Sequence, residues 1–365
     1  MNTIRRYLYG QILSAVSFVT LGFLALFFFF DLVDELRWVN QGSYHITQAL
    51  LYVSLAIPSH LYELFPITVL IGTIFVMANL AQSSEFTILR TSGLGPWRAL
   101  ATLLTLGLAF VVTTFAVGDY LAPAAERAGQ LMKARYQGKL TTGQTGAWMK
   151  ERQAYSSYAV NISRMRPDGG MQKIRIFEFD QQGHLVSMTR AESGRFNQDD
   201  SWQLENVQRS EFPNGERANA RIDQRELPEL RWPTQITAEM ASAALLKPDR
   251  MRTIDLFEYI QHLDANGQSA QSYEIEFWRK VFYPLSCLVM VVLALPFAYL
   301  HFRSGGIATY VFGGVMAGIS FFLLNNVFGY IGNLQNWVPW VVAAAPGLIY
   351  SLMSLAAFGW LVLRR

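Results

Sequence analysis

Cysteine and charge are what this sequence has least of. Its single cysteine, Cys287, excludes an internal disulfide and any cysteine-based zinc site. Charged side chains make up 16% of its 365 residues, where an average soluble domain carries about 25%. The 30 basic and 27 acidic residues leave a net charge of only +3, which gives no electrostatic footprint for nucleic acid. Chemistry-bearing motifs are equally scarce. The five histidines, His45, His60, His184, His262 and His301, are scattered without a paired ligand spacing. No Walker-type phosphate loop occurs. The nucleophile elbow is approached only by Gly318-Ile319-Ser320-Phe321-Phe322, which lacks the second glycine. Asp31, Asp34 and Glu63 form no convincing acid–base pair. The sequence therefore predicts no catalytic residue, no metal and no directly bound cofactor.

What is there is apolar and unevenly spread. Hydrophobic residues reach 52% and aromatics 14%, and 39 of the 57 charges fall within residues 121–270. That distribution excludes a single soluble globule, a disordered chain and a fibrous repeat. A membrane-spanning helix needs about 20 predominantly apolar residues. Charge-free runs of this length occupy Tyr7 to Phe30, Leu64 to Ser84, Ala99 to Gly118 and Val281 to Leu300. A further run from Ser304 to Leu363 is too long for one span. The island Gly329-Tyr330-Ile331-Gly332-Asn333-Leu334-Gln335-Asn336 divides it, with Trp337 and Trp340 placed as interfacial aromatics. The prediction is an α-helical membrane protein with six spans, three before the charged insert and three after it. A signal-peptide reading of the first run fails, because it is too long and is followed by acids rather than a small-residue cleavage site.

Lys and Arg in the short loops set the orientation. Arg5, Arg6, Arg90, Arg98, Arg303, Arg364 and Arg365 share one side, while Asp31 to Arg37 on the other carries three acids and one base. Both termini are expected in the cytoplasm and residues 121–270 outside. Within that insert, Tyr158 to Ile162, Lys173 to Phe179, His184 to Met188 and Trp202 to Val207 alternate with period two. Turn signals separate them at Asp168-Gly169-Gly170, Gln182-Gly183 and Asn214-Gly215. Such runs predict an all-β sandwich or jelly roll with edges that could pair with another chain. A helix should follow, with Ile254, Phe257, Ile260 and Leu263 on its inner face and Asn266-Gly267 ending it.

The cytoplasmic segment Ala81 to Arg98 predicts a short amphipathic helix. Ser83 or Ser84 would cap its start, Glu85 lies in its first turn, and Gly93 suits its end. Such an elbow could lie on the membrane or seat in a cytoplasmic partner.

Several segments then resemble one family. Glu85 to Gly93 resembles the coupling helix of the lipopolysaccharide export permeases, the LptF/LptG family. Gln41-Gly42-Ser43-Tyr44, Gly118 to Pro123, Gly146-Ala147-Trp148, Gly267-Gln268 and Trp278 to Ser286 are similar to its LptG branch. The resemblance runs from end to end in the same three-plus-three layout. It implies domains of 1–120 (three spans with a coupling helix near 82–95), 121–270 (a periplasmic β jelly roll) and 271–365 (three spans). It implies a non-catalytic ABC transporter permease paired with an LptF-type half over a dimeric LptB ATPase, which alone uses ATP and Mg. It implies as further partners LptC, the periplasmic LptA bridge, lipopolysaccharide and membrane lipids, in the bacterial inner membrane. Carried onto this sequence, coupling to the ATPase falls to Glu85, Phe86, Leu89, Arg90, Ser92 and Gly93. Lipopolysaccharide would meet Arg37, Arg127, Lys133 and Arg135 at its phosphates, and Phe321, Phe322 and Leu324 along its chains. Asp31 departs from the pattern, since a Lys commonly stands there in LptG relatives. Asn325 and Asn326 within the fifth span should bond between helices. Two other readings stay open: the sister LptF-type half, and a membrane scaffold that moves nothing, which co-purification with an ATPase would distinguish.

Overall fold

A computed structural model describes residues 2–39, 44–137, 147–153, 155–165, 170–197, 199–212, 222–237, 240–241, 248–299 and 307–363. Arg303, Arg364, Arg365, the Gln41-Gly42-Ser43 stretch, Gly146, and the turn signals Asp168-Gly169 and Asn214-Gly215 lie outside them. Ten helices are labelled among the described residues. They are α1 (Asn2–Glu35), α2 (Ile46–Gln82), α3 (Glu85–Thr91), α4 (Pro96–Ala116) and α5 (Ala122–Gln137), then α6 (Thr253–Ala265), α7 (Gln271–Phe282), α8 (Ser286–Ala294), α9 (Ile307–Leu334) and α10 (Pro339–Leu363). A π-helical turn, Val117–Leu121, joins α4 to α5, and short 3-10 turns at Tyr283–Leu285 and Leu295–Tyr299 flank α8.

Among the described residues, six helical stretches are long and apolar enough to cross a membrane: Thr3–Trp38, Ile46–Gln82, Pro96–Lys133, Gln271–Tyr299, Ala308–Leu334 and Pro339–Trp360. The sixfold count matches the sequence reading, but the second and third helices extend well past the charge-free runs. Charge marks where the apolar part of a helix stops, whereas backbone hydrogen bonding continues wherever the side chains find partners. The fourth stretch is broken at Pro284 and Pro296, each of which lacks the amide needed for an i→i−4 bond.

The chain forms two compact units. One comprises Met1–Arg37, Val53–Glu126 and Glu274–Arg365, and the other Trp38–Tyr52 with Arg127–Tyr273. In the helical unit the second span is mostly enclosed, while the first and fifth are mostly exposed. Its core gathers Ile12, Leu70, Ile74, Met77, Leu80, Leu103, Met290 and Val291. The α1–α2 crossing is close because Gly72 has no side chain: a Cβ there would lie 2.8 Å from the backbone of Val16. Thr20 donates to Thr68 at 2.9 Å across the same contact. Such small and hydroxyl-bearing residues are how helices approach one another in lipid.

The second unit holds one antiparallel sheet whose six strands follow sequence order: β1 (Ala147–Arg152), β2 (Ser157–Met165), β3 (Met171–Phe179), β4 (Leu185–Phe196), β5 (Ser201–Glu211) and β6 (Asp223–Pro233). The four alternating runs became β2 to β5, giving the inserted β domain expected. β1 and β6 were not foreseen, because β6 is charged, contains Pro228 and is largely exposed.

A single sheet acquires a core here by creasing. Pairing is skipped at Ser163, Lys173, Glu192, Asn206 and Pro228, one row running across five strands. Lys173 and Asn206 both adopt φ of +51°, so the inward-facing positions change parity at that row. On β3 they switch from Met171 to Ile174 and Ile176, on β4 from Ala191 to Gly194, and on β5 from Leu204 to Val207. Trp202 seals the interior, donating from its indole to the carbonyl of Ile236 at 2.9 Å and meeting Trp232 edge to face.

Helix α6 forms as expected and ends in Asn266-Gly267, with Gly267 at φ +62°. Its buried side is Leu256, Tyr259, His262 and Leu263, whereas Ile254 and Phe257 are exposed. The expected stripe was therefore rotated, because Tyr259 and His262 supply apolar ring faces that a count of aliphatics omits. The residues ending α6 close one edge of the sheet. Outward-pointing amides of β1 donate to side chains there, Lys150 to Gln268 at 3.3 Å and Arg152 to Asn266 at 2.7 Å.

Candidate functional site

The elbow between the second and third spans is built as a tight helical knuckle. Ser84 sits at the N-cap of α3 but with φ +60° and no side-chain cap bond, and Ser83 bonds back to the carbonyl of Leu80 at 3.4 Å. Capping by either serine, expected from the sequence, does not occur: the two-residue link to α2 requires a left-handed turn that points the hydroxyls away. Gly93 ends the helix as expected, at φ +102°, its amide bonding to Arg90 O and that of Leu94 to Leu89 O. Arg98 Nη1 donates to the carbonyl of Gly93 at 3.1 Å and ties the knuckle to α4.

The six elbow residues divide between two faces. Phe86 is buried against the ring of Tyr299 at 4.9 Å, and Leu89 packs on the same core. Arg90, Ser92 and Gly93 are exposed. Glu85 accepts a hydrogen bond from Tyr7 of α1 at 2.8 Å, which links the elbow to the first span. Sequence reasoning missed Tyr7, Ile88 and Trp97. Ile88 is 63% and Trp97 68% exposed, and Trp97 meets the ring of Phe358 edge to face; reading the helix for its buried face passes over both.

The cations expected to meet phosphate are differently placed. Arg37 is solvent-facing beside Asp34 at 3.2 Å. Arg127 is held by Asp255, which Arg252 also grips. Partial burial would raise the Asp255 carboxyl, but the two guanidiniums outweigh it and hold it below the usual carboxylate value. Lys133 lies over the rings of Tyr52 and Trp38, 4.5 and 5.6 Å from their centroids. A neighbouring cleft of about 470 Å³ is lined by Thr47, Gln48, Leu51, Leu131, Met132 and Tyr136. The side chain of Arg135 lies outside the described residues. Asp31 Oδ2 lies within hydrogen-bonding distance of His60 Nε2, at 2.6 Å, so the acid that departs from the family pattern has a local partner on the second span.

On α9, Phe321 is buried and meets the ring of Tyr350 edge to face at 5.1 Å, while Phe322 and Leu324 are half-buried. Phe321, expected with Phe322 and Leu324 to line a lipid cavity, thus faces Tyr350 within this chain. The exposed row of this helix is instead Phe312, Met316, Ile319, Leu323, Val327 and Leu334. Asn325 is buried, and its carbonyl accepts from Arg279 at 2.7 Å, so it bonds between helices as expected, though through its backbone.

The sequence that builds this helical unit, knuckle and inserted sheet is similar to known proteins over nearly its whole length. A protein named lipopolysaccharide export system permease protein LptG, from Haemophilus influenzae, is 29% identical over 100% of this chain and 99% of its own length. The protein of the same name from Escherichia coli K12 is 28% identical over 99% of this chain and 98% of its own. Residues 6–363 match the family described as lipopolysaccharide export system permease LptF/LptG. The chain is a multi-pass membrane protein that belongs to the LptF/LptG family of lipopolysaccharide export permeases.

Proposed function

We propose that the chain is the LptG-type half of a lipopolysaccharide exporter. In this reading it sits in the inner membrane with both termini cytoplasmic and the sheet in the periplasm. It draws lipopolysaccharide from the outer leaflet of that membrane and hands it to a periplasmic bridge. It is not itself catalytic. An LptF-type half pairs with it, a dimeric LptB ATPase uses ATP and Mg beneath it, and LptC and LptA receive the cargo. Full-length similarity to proteins named LptG supports this half over its sister.

Magnitude sets the route. Each buried CH₂ is worth about 0.8 kcal/mol, so wetting six acyl chains of about twelve carbons would cost on the order of 50 kcal/mol. One nucleotide cannot supply that. The chains must pass from bilayer to an apolar protein surface, and the exposed row of α9 supplies one. Arg37, Arg127, Lys133 and Arg135 are the cations that would meet phosphate in this reading; Arg37 stands beside Asp34, Arg127 on Asp255 and Lys133 over Tyr52. Of the two sheet edges, β6 is the one left for pairing with a bridge strand, because Asn266 and Gln268 occupy β1.

The observation that carries the reading is the knuckle: an anchored Phe86, an exposed Ile88 and Arg90, and Glu85 bonded to the first span. Docked in an ATPase groove, this element would transmit nucleotide-driven closure to α1. The test is Glu85→Lys in the reconstituted complex. The reading expects export to collapse, through lost assembly or lost coupling. Normal assembly together with normal export would refute it.

A further inference from the structure

Two adjacent cations on the fourth span, Arg279 and Lys280, have no part in the function just described, yet each is committed to a different neighbour. Successive helix residues point about 100° apart, so such a pair naturally reaches two flanking helices. Arg279 Nη2 donates to the carbonyl of Asn325 at 2.7 Å and to Oδ1 of Asn326 at 3.3 Å, and its Nη1 lies 3.4 Å from Glu276. The Asn325 carbonyl already sits within a helix, and its second lone pair is reachable because residue 329, one turn on, is glycine. A Cβ at Gly329 would come within 3.2 Å of the guanidinium.

Lys280, buried, reaches the other way. Its ammonium donates to the carbonyl of Gly118 at 3.3 Å and lies 5.7 Å from the ring centroid of Tyr62. Gly118 belongs to the π-turn of the third span, where the shifted bonding register disturbs the regular carbonyl ladder. The turn is pressed so close to Tyr62 that a Cβ on Gly118 would lie 2.3 Å from its ring. An ionised side chain in a spanning helix is costly unless paired, so its partners mark a constraint.

We propose that Arg279 and Lys280 form a bracket by which the fourth span holds the third and fifth spans in register, with Arg279 the positioning residue for the fifth. The Lys280 arm is sealed in the packing, whereas the Arg279 arm is a quarter exposed and ends on the exposed Asn326. The Arg279 arm is thus the one that can release, and it sets where the α9 row lies. Only the purpose of that placement, guiding acyl chains, rests on the export reading.

The test uses the assembled complex in nanodiscs. Spin labels go at Val281 and Val327, both exposed on the two helices, with the native Cys287 buried. The native bracket should give one narrow distance. Arg279→Met should add a second, longer population, and Gly329→Leu should do the same, since a Cβ at 329 already comes within 3.2 Å of the guanidinium and a longer side chain takes its place. Combining the two should add nothing further, since both remove one contact. Asn326→Asp, which offers the guanidinium a carboxylate, should keep the single distance. Export per ATP hydrolysed should fall several-fold in Arg279→Met and Gly329→Leu. An unchanged distance in Arg279→Met overturns the bracket, as do additive effects in the double variant. Changed distances with unchanged export per ATP overturn the positioning role. The distances need no lipopolysaccharide, so a native complex that exports nothing would count against the export reading alone.

Discussion

Tyr7 donates its hydroxyl to Glu85 across 78 residues of sequence, a contact no local pattern could reveal. The sequence marked Glu85 as a first-turn acid on an elbow, and the structure adds that the first span holds it. Hydrogen bonds to charged groups contribute about 1.5–3 kcal/mol when protected, and less at this exposed site. Tyr7→Phe should therefore weaken coupling between ATP hydrolysis and export less than Glu85→Ala does. Because one contact is shared, the double variant should behave like Glu85→Ala alone, and an export assay on the three complexes checks this. Phe321 shows the opposite limit. Its residue type suggested an acyl-lined surface, but in an all-apolar helix periodicity cannot say which side faces lipid, and Tyr350 claims it.

At the scale of elements, the alternating runs identified β2 to β5 because their inner faces are aliphatic. The crease was invisible in them. It rests on Lys173 and Asn206, two residues of unremarkable type held at positive φ. A β-branched residue favours strands, yet the left-handed conformation costs such a residue about 1–2 kcal/mol. Asn206→Val should thus lower the stability of the sheet by about that amount, measured by hydrogen exchange on the whole chain. The β1 edge carries a pH dependence of its own. Burial pushes the His262 imidazole below its ordinary 6.5, with Glu151 opposing. Its Nε2 has no partner among the described residues, and its Nδ1 lies 3.3 Å from the Asn266 amide nitrogen. The unfolded chain therefore takes up a proton near 6.5 that the folded chain refuses until lower pH. Stability is full above 6.5 and falls as pH drops toward the folded value. Protonation would set two donors face to face at the Asn266 side chain, whose Oδ1 accepts from the Arg152 amide, so exchange at Lys150 and Arg152 should quicken below pH 6.5. His262→Gln should remove that dependence.

For the molecule as a whole, six spans and an inserted β domain were legible because hydrocarbon tolerates so few charges. Helix ends were less so, since α2 and the third span carry polar side chains with local partners beyond their apolar runs. The Asp31–His60 pair is one such case. The central claim is that lipid chains travel along the exposed row of the fifth span. Photo-crosslinking tests it most directly, with a photoreactive residue at Leu323 on that row or at Phe321 on the buried face, in the assembled exporter loaded with lipopolysaccharide. The account predicts a lipopolysaccharide adduct at Leu323 that diminishes when ATP is supplied, and none at Phe321. No adduct at Leu323, or equal adducts at both positions, would contradict it.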